Sequence, residues 1–284
     1  MKKILFKGAG SAVPTPFTDD SVNLKKFKKF LQFQIDNDID ALIVCGTTGE
    51  SATMTKEEKI DAIKCAVEIA HKNGTSTRKI PVIAGTGSNN TKEAIEMSKV
   101  AESLGVDGVL VVTPYYNKTT QEGLIAHYKV IAESINIPII LYNVPSRTGM
   151  NIEPETCLEL SKIDNIVAIK EASGNISQVA EIAHLCGDNL HIYSGNDDQA
   201  IPICSLGGLG VISVLSNIKP KFTHDMVWNF LNGDVETAKN MQLESIPLIN
   251  DLFAKVNPIP VKQAMNFMGF NVGKCRLPLC DMDS

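Results

Sequence analysis

Eight short apolar runs, each followed by a longer amphipathic segment, make up most of this chain. The runs are rich in valine and isoleucine and apolar at consecutive positions, which is typical of parallel strands buried on both faces. They cover residues 11–17, 41–45, 80–84, 108–112, 137–142, 166–170, 190–194 and 210–214. The intervening segments have helical spacing, and Thr55 and Glu58 are spaced as a capping box at a helix start.

Eight strand-then-helix units predict either a closed barrel or a doubly wound sheet. The dinucleotide pattern G-x-G-x-x-G does not follow the first strand, and its nearest candidate, residues 85–90, lacks the third glycine. The barrel is therefore favoured. After residue 214 the alternation stops, and residues 219–269 indicate helices only. The sequence predicts an α/β protein with a (β/α)8 TIM barrel over residues 1–218 and a C-terminal helical extension over residues 219–284.

Charge and composition argue against several classes of function. The net charge is −5, so no surface for nucleic acid or acidic membranes is expected. The seven cysteines include no C-x-x-C pair and the five histidines lack metal-ligand spacing, so neither disulfides nor a metal site is predicted. The apolar part of the first residues is too short for a signal peptide, and no apolar run is long enough for a membrane span. We expect a cytoplasmic protein that uses no metal and no cofactor.

Polar side chains follow the apolar runs at the end of the barrel where active sites form. Lys170 closes one run, and burial near cationic Arg147 would favour the neutral amine that attacks a carbonyl. A lysine that reaches solvent or pairs with Glu171 or Asp197 fits the same position. The sequence therefore offers Lys170 either as a nucleophile that forms a Schiff base or as a cation at the barrel rim.

Four further residues suit that chemistry, and each has a simpler interpretation. Tyr142 is one strand from Lys170 and could shuttle the imine proton, or simply pack at the rim. Thr47 and Thr48 lie in a glycine-flanked turn that could hold a carboxylate, or serve only as a turn. Arg147 could clamp a substrate carboxylate, or form an ion pair in a surface loop.

Four motifs together closely resemble the dihydrodipicolinate synthase family of the N-acetylneuraminate lyase superfamily, whose members are Schiff-base aldolases. The match runs from residue 11 to residue 279. The motifs are Gly-Thr-Thr-Gly-Glu-Ser at 46–51, Val-Thr-Pro-Tyr-Tyr-Asn at 112–117, Tyr-Asn-Val-Pro-Ser-Arg-Thr-Gly at 142–149, and Ile-Lys-Glu-Ala-Ser-Gly at 169–174. The resemblance implies that Lys170 forms an imine with pyruvate and that the enamine attacks L-aspartate 4-semialdehyde, giving 4-hydroxy-tetrahydrodipicolinate for lysine and diaminopimelate synthesis.

The resemblance also implies roles for the other residues. Tyr142 would donate and accept protons in a relay with Thr47 and Tyr116, the latter reaching in from a neighbouring subunit of a homotetramer built as a dimer of dimers. Thr48 would hold the pyruvate carboxylate with help from the backbone at Ile212 and Gly195. Arg147 would orient the carboxylate of the semialdehyde.

Regulation is where this chain departs from the family. In members that lysine inhibits, two histidines stand where this sequence has Lys56 and Lys59. Cations there would oppose binding of an amino acid that carries two ammonium groups. The other positions of a degenerate allosteric pocket match and are Ser51, Ala52, Asn89, Glu93 and Tyr115. The hypothesis is weak or absent inhibition by lysine.

Two alternatives stay open at this point. One is another pyruvate aldolase, such as an N-acetylneuraminate lyase or a 2-keto-3-deoxy sugar acid aldolase. The N-acetylneuraminate lyases generally lack an arginine at the position of Arg147 and typically have Gly-Ser-Thr-Gly-Glu where this chain has Gly-Thr-Thr-Gly-Glu. The other is a catalytically silent barrel that senses a small acid, which would need a cation at Lys170 but no nucleophile.

Overall fold

The computed structural model describes residues 2–73 and 80–282. Eight parallel strands close into a barrel in the order β1-β10-β9-β8-β7-β6-β5-β4, and β2 and β3 form a separate antiparallel pair. The strands are β1 Gly8–Ala12, β2 Phe17–Thr18, β3 Ser21–Val22, β4 Ala41–Val44, β5 Val82–Gly85, β6 Gly108–Val112, β7 Ile139–Asn143, β8 Ile166–Glu171, β9 His191–Ser194 and β10 Gly210–Ser213. The predicted (β/α)8 barrel is confirmed.

Helices follow the barrel strands and surround them. They are α1 Leu24–Asp36, α2 Lys56–Asn73, α3 Thr91–Ser103, α4 Gln121–Ala132, α5 Pro145–Thr148, α6 Pro154–Ser161, α7 Ile176–Cys186, α8 Ala200–Ser205, α9 Pro220–Leu231, α10 Val235–Leu252 and α11 Ile259–Phe267. The capping box before α2 is confirmed, because the Thr55 N–H donates to Glu58 Oε2 at 2.9 Å and the Glu58 N–H donates to Thr55 Oγ1 at 3.2 Å.

The bounds predicted for the first strand were wrong. Residues 11–17 were expected to form it, but β1 begins at Gly8 and ends at Ala12. The residues that follow include Pro14 and Pro16, which lack the N–H that a central strand must donate. Phe17 instead pairs with Val22 in the short β2–β3 hairpin.

Side chains from the strands form two separate apolar layers. On β7, Ile139 and Leu141 pack in the outer layer under the helices, whereas Ile140 and Tyr142 pack inside the barrel. This alternation follows from the two-residue period of a strand. The amino-terminal end of the lumen is filled, because Tyr193 Oη donates to the Phe6 carbonyl at 2.6 Å and the two rings stack at 4.4 Å. The carboxyl ends of the strands are therefore left as the place for a site.

The chain after β10 is helical and returns to the barrel. Helix α9 packs against β1, and α10 packs against both α9 and α11. The division of the chain at residue 218 stays a prediction. No helix among residues 2–73 and 80–282 is long and apolar enough to cross a membrane.

Candidate active site

A cavity of about 200 Å³ lies where the carboxyl ends of several barrel strands meet. Six of the eight residues predicted for catalysis and substrate binding line it. Its lining consists of Thr47, Thr48, Tyr142, Val144, Ser146, Arg147, Lys170, Ala172, Gly195, Asn196, Val214, Phe253 and Asn257.

Lys170 and Tyr142 lie side by side on neighbouring strands. Their Cα atoms are paired in the register of β7 and β8, and the Lys170 Nζ lies 4.2 Å from the centre of the Tyr142 ring. Both side chains are 7% exposed. In the part of the chain that the structure describes, no carboxylate lies within ion-pair distance of the Lys170 amine. The amine is therefore not held by a counter-ion and faces a phenol that can exchange protons with a bound group.

The carboxylates that could have paired with Lys170 have other partners. Glu171 Oε2 accepts a hydrogen bond from Asn143 Nδ2 at 3.0 Å, and its Oε1 accepts one from the Ser173 N–H at 2.6 Å. Asp197 Oδ2 accepts the backbone N–H groups of Val214 and Leu215, both at 2.9 Å. Burial raises the pKa of Asp197. These contacts fix the backbone around the cavity.

Gly195 makes room for the Lys170 side chain. A Cβ built at this position would lie 3.0 Å from Lys170 Cε and 2.6 Å from the Cβ of Ala172. The Gly195 N–H donates to the Glu171 carbonyl at 2.7 Å, which holds the loop against the end of β8. A larger residue would push into the space that the amine occupies.

The two threonines lie in a tight turn that follows β4. Cys45 and Glu50, on either side of the turn, have φ angles of 55° and 56°, in the left-handed region. Thr48 is 3% exposed, and its Oγ1 accepts a hydrogen bond from Asn257 Nδ2 at 3.0 Å. Both threonines line the cavity, so the turn brings hydroxyl groups that can donate to a carboxylate to the cavity wall.

Arg147 lies at the exposed rim of the cavity, on the short helix α5. One of its Nη atoms donates to the Asn257 carbonyl at 3.3 Å. Within residues 2–73 and 80–282 no carboxylate lies in ion-pair range of the guanidinium, so the alternative of a surface ion pair is not found. Most of its donors remain for a ligand carboxylate.

Two predicted residues do not line this cavity. Tyr116 follows β6 with a φ angle of 71°, and its side chain is 92% exposed. Ile212 is buried on β10 and packs inside the barrel with Tyr142. The predicted backbone role of Ile212 and the predicted relay role of Tyr116 both stay predictions.

The residues of the predicted allosteric pocket lie beyond the active-site turn. Ser51 and Ala52 are in a single turn of 3-10 helix, while Lys56 and Lys59 lie on the first turns of α2. Three further positions lie on other elements: Asn89 precedes α3, Glu93 is in its first turn and Tyr115 follows β6. The Lys56 side chain is exposed.

Several residues of the lining were missed in the sequence, and Asn257 matters most because it contacts both Thr48 and Arg147. It lies 209 residues from Thr48, in a segment between α10 and α11 that was assigned only to the helical extension. The local feature of the sequence that indicated a break between helices here was Asn-Pro-Ile-Pro at 257–260, because a residue before proline rarely continues a helix. Phe253, directly after α10, also lines the cavity.

The collected groups suit one kind of chemistry. A lysine amine condenses with a carbonyl to form an imine, a neighbouring phenol can supply and remove protons, and hydroxyl, N–H and guanidinium groups bind carboxylates. Ligand pockets in proteins usually enclose about 300–1,000 Å³. A cavity of about 200 Å³ therefore suits a small keto acid.

Comparisons with known proteins agree with this chemistry. Residues 5–284 match the model of the dihydrodipicolinate synthetase family. A 4-hydroxy-tetrahydrodipicolinate synthase of Clostridium novyi is 58% identical over 279 residues, which are 98% of this chain and 92% of the relative.

Solved structures give the same result. A dihydrodipicolinate synthase structure is 46% identical with a TM-score of 0.93, covering 98% of this chain and 94% of that one. A structure described as the first monomeric dihydrodipicolinate synthase variant is 41% identical with a TM-score of 0.94, covering 98% of this chain and 92% of that one. This chain belongs to the dihydrodipicolinate synthetase family.

Proposed function

We propose that this chain is a lyase that condenses pyruvate with L-aspartate 4-semialdehyde through a Schiff base on Lys170. The product is 4-hydroxy-tetrahydrodipicolinate, in lysine and diaminopimelate biosynthesis. The observation that carries the proposal is the buried Lys170 amine, free of any ion pair among the described residues and 4.2 Å from the centre of the Tyr142 ring. The family and its named members support the same activity.

The first half of the reaction activates pyruvate. The Lys170 nitrogen bonds to the keto carbon, and the carbonyl oxygen leaves as water after taking protons that Tyr142 passes on. The resulting protonated imine withdraws electrons, so the methyl carbon of pyruvate loses a proton and becomes the nucleophilic carbon of an enamine.

The second half joins the substrates. The enamine carbon attacks the aldehyde carbon of the semialdehyde, whose oxygen becomes a hydroxyl group by taking up a proton equivalent to the one that the methyl carbon released. The amino group of the same substrate then bonds to the imine carbon, which closes the ring and breaks the bond to Lys170. The lysine leaves as a free amine. Every step of this scheme is written without a cofactor or a metal.

Each remaining group has a place in the scheme. Thr48 binds the pyruvate carboxylate, with the backbone at Gly195 and Ile212 alongside it. Arg147 binds the carboxylate of the semialdehyde. Thr47 passes protons between Tyr142 and Tyr116.

Tyr116 belongs to a neighbouring subunit in this proposal, because its own chain leaves the side chain 92% exposed and away from the cavity. We propose a homotetramer made of two dimers, acting in the cytoplasm. Sedimentation combined with an activity assay tests the assembly. A folded monomer with full activity would contradict the shared site.

The function itself is tested by measuring product formation from pyruvate and L-aspartate 4-semialdehyde with a coupled reductase. N-acetylneuraminate and 2-keto-3-deoxy sugar acids are assayed for cleavage under the same conditions. We expect condensation of pyruvate with the semialdehyde and no cleavage of the sugar acids. Cleavage of a sugar acid without condensation of the semialdehyde would assign the chain to another pyruvate aldolase, and no reaction with any of them would favour a sensor.

Replacing Tyr142 with phenylalanine is expected to lower kcat by about 10²- to 10⁴-fold, the usual contribution of a positioned proton donor. The ring and its packing remain, so the circular dichroism spectrum and the unfolding temperature should stay near those of the wild type. Steady-state kinetics gives the rate. A Tyr142→Phe enzyme that turns over within twofold of the wild type would remove Tyr142 from the proton path.

Inhibition by lysine is expected to be weak. Lys56 and Lys59 place two cations on the first turns of α2, where an incoming lysine would bring two more ammonium groups. A titration of millimolar lysine against the coupled assay should leave most of the activity. The paired variant Lys56→His and Lys59→His is the matched comparison and should become more sensitive. Strong inhibition of the wild type would contradict the hypothesis.

A further inference from the structure

We propose that Asn257 is a positioning residue for pyruvate and that it acts through the hydroxyl of Thr48. The inference rests on the proposed function for the identity of the keto acid. Asn257 is 6% exposed and lines the cavity together with Thr48 and Lys170. Its side-chain Nδ2 donates to Thr48 Oγ1 at 3.0 Å.

The direction of this hydrogen bond determines what the Thr48 hydroxyl can do. A threonine hydroxyl has one hydrogen to donate and lone pairs that accept. Because the lone pair of Thr48 Oγ1 takes the N–H of Asn257, the single hydroxyl hydrogen remains free to donate into the cavity. Asn257 therefore orients Thr48 as a donor, which is the role that a bound carboxylate needs.

The rest of the Asn257 side chain does little to hold the fold. Its Oδ1 is buried and makes no hydrogen bond to any residue that the structure describes. A buried acceptor without a donor costs stability, so an apolar side chain of similar shape should be tolerated here. This separates the positioning role from a purely structural one, which would make the same substitution harmful to folding.

The backbone of Asn257 has a second contact in the site. Its carbonyl accepts a hydrogen bond from the guanidinium of Arg147 at 3.3 Å. One residue thus touches the groups proposed for both substrate carboxylates, through its side chain for pyruvate and through its backbone for the semialdehyde. A side-chain substitution removes the first contact and keeps the second.

Lys262 connects the segment that carries Asn257 to the turn that carries Thr48. Its backbone N–H donates to the carbonyl of Pro258, the residue after Asn257, at 3.0 Å. The Lys262 amine is ion-paired at 2.7 Å with Glu50, two residues after Thr48. The segment that carries Asn257 and the turn that carries Thr48 are therefore anchored to each other.

The test compares Asn257→Leu with Asn257→Asp in the intact enzyme. The half-saturating pyruvate concentration is measured in steady-state kinetics and in borohydride trapping at Lys170. The leucine variant loses one hydrogen bond, so that concentration should rise roughly five- to tenfold, with kcat at saturating pyruvate within about threefold of the wild type.

The aspartate variant should be the more damaged of the two. A carboxylate at this position would accept the only hydroxyl hydrogen of Thr48 and would repel the pyruvate carboxylate, so a rise of about 30-fold or more is expected. Aspartate is nearly the shape of asparagine, so a residue needed only for packing would give the opposite order. An Asn257→Asp enzyme closer to the wild type than Asn257→Leu would overturn the proposal.

Two further variants locate the effect. In a Thr48→Val background the hydroxyl is gone, so adding Asn257→Leu should not raise the pyruvate requirement further. The same fold-rise in both backgrounds would overturn the proposal.

Arg147→Ala should instead raise the KM for the semialdehyde. Asn257→Leu should change that KM less than about threefold. A wild type that is trapped by pyruvate but does not condense the semialdehyde would end the proposed function and leave this inference standing.

Discussion

Replacing Lys170 with alanine is expected to lower kcat by at least about 10⁴-fold, because every bond-forming step in the proposed reaction passes through an imine on its amine. The side chain lies 7% exposed between Tyr142 and the space left by Gly195, and no second lysine lines the cavity among the described residues. Among residues 2–73 and 80–282, Lys170 therefore supplies the amine that forms the imine. Steady-state kinetics with both substrates at saturation measures the loss.

The matched control for this variant is Lys170→Arg, which keeps a long cation in the same place but has no nucleophilic amine. Both variants should be inactive if the amine reacts. If only the charge of Lys170 matters, as in a barrel that merely binds an acid, arginine should retain ligand binding and alanine should lose it. A Lys170→Ala enzyme with near-normal turnover would refute a covalent role.

The second large effect concerns the stability of the fold. Replacing Lys262 with methionine is expected to lower the free energy of unfolding by about 3–5 kcal/mol, the usual cost of leaving a buried charge without its partner. The Lys262 and Glu50 side chains are 2% and 0% exposed, and the Lys262 Nζ lies 2.7 Å from Glu50 Oε1. The Lys262 amine also donates to the carbonyls of Thr15 and Lys274, at 3.2 and 2.8 Å.

Denaturant unfolding of single and double variants measures this effect. The double variant Lys262→Met with Glu50→Gln removes both charges and should recover part of the lost stability, because no charge is then left buried. A Lys262→Met protein within about 1 kcal/mol of the wild type would contradict the expected cost of leaving Glu50 without Lys262. The same pair joins α11 to the turn of Thr48, so the single variant should also bind pyruvate less tightly.

The barrel could be predicted because parallel strands buried on both faces leave continuous apolar runs in the sequence. The first strand was misplaced because Gly8–Ala12, with the sequence Gly-Ala-Gly-Ser-Ala, is less apolar than the proline-containing segment that follows it. Small residues fill the crowded interior there, where a Cβ at Gly10 would lie 2.6 Å from the Ile43 side chain. Local hydrophobicity does not report such a tertiary constraint.

The site could be predicted in part, for a related reason. Lys170, Tyr142 and the threonine turn each follow an apolar run, so the topology of a barrel brings them together. Asn257 follows no strand, and its contacts with Thr48 and Arg147 depend on how the helical extension folds back over the barrel. A contact between residues 209 positions apart leaves no periodic pattern in a single sequence.

Reductive trapping shows whether the Lys170 amine forms a covalent bond with a keto acid. The enzyme is incubated with pyruvate and borohydride, digested and analysed by mass spectrometry, with Lys170→Ala and an incubation without pyruvate as controls. We expect a stable pyruvate-derived adduct on the peptide that contains Lys170, and on no other peptide. Absence of an adduct on this peptide, or an adduct of equal yield on the Lys170→Ala protein, would refute the covalent role of Lys170.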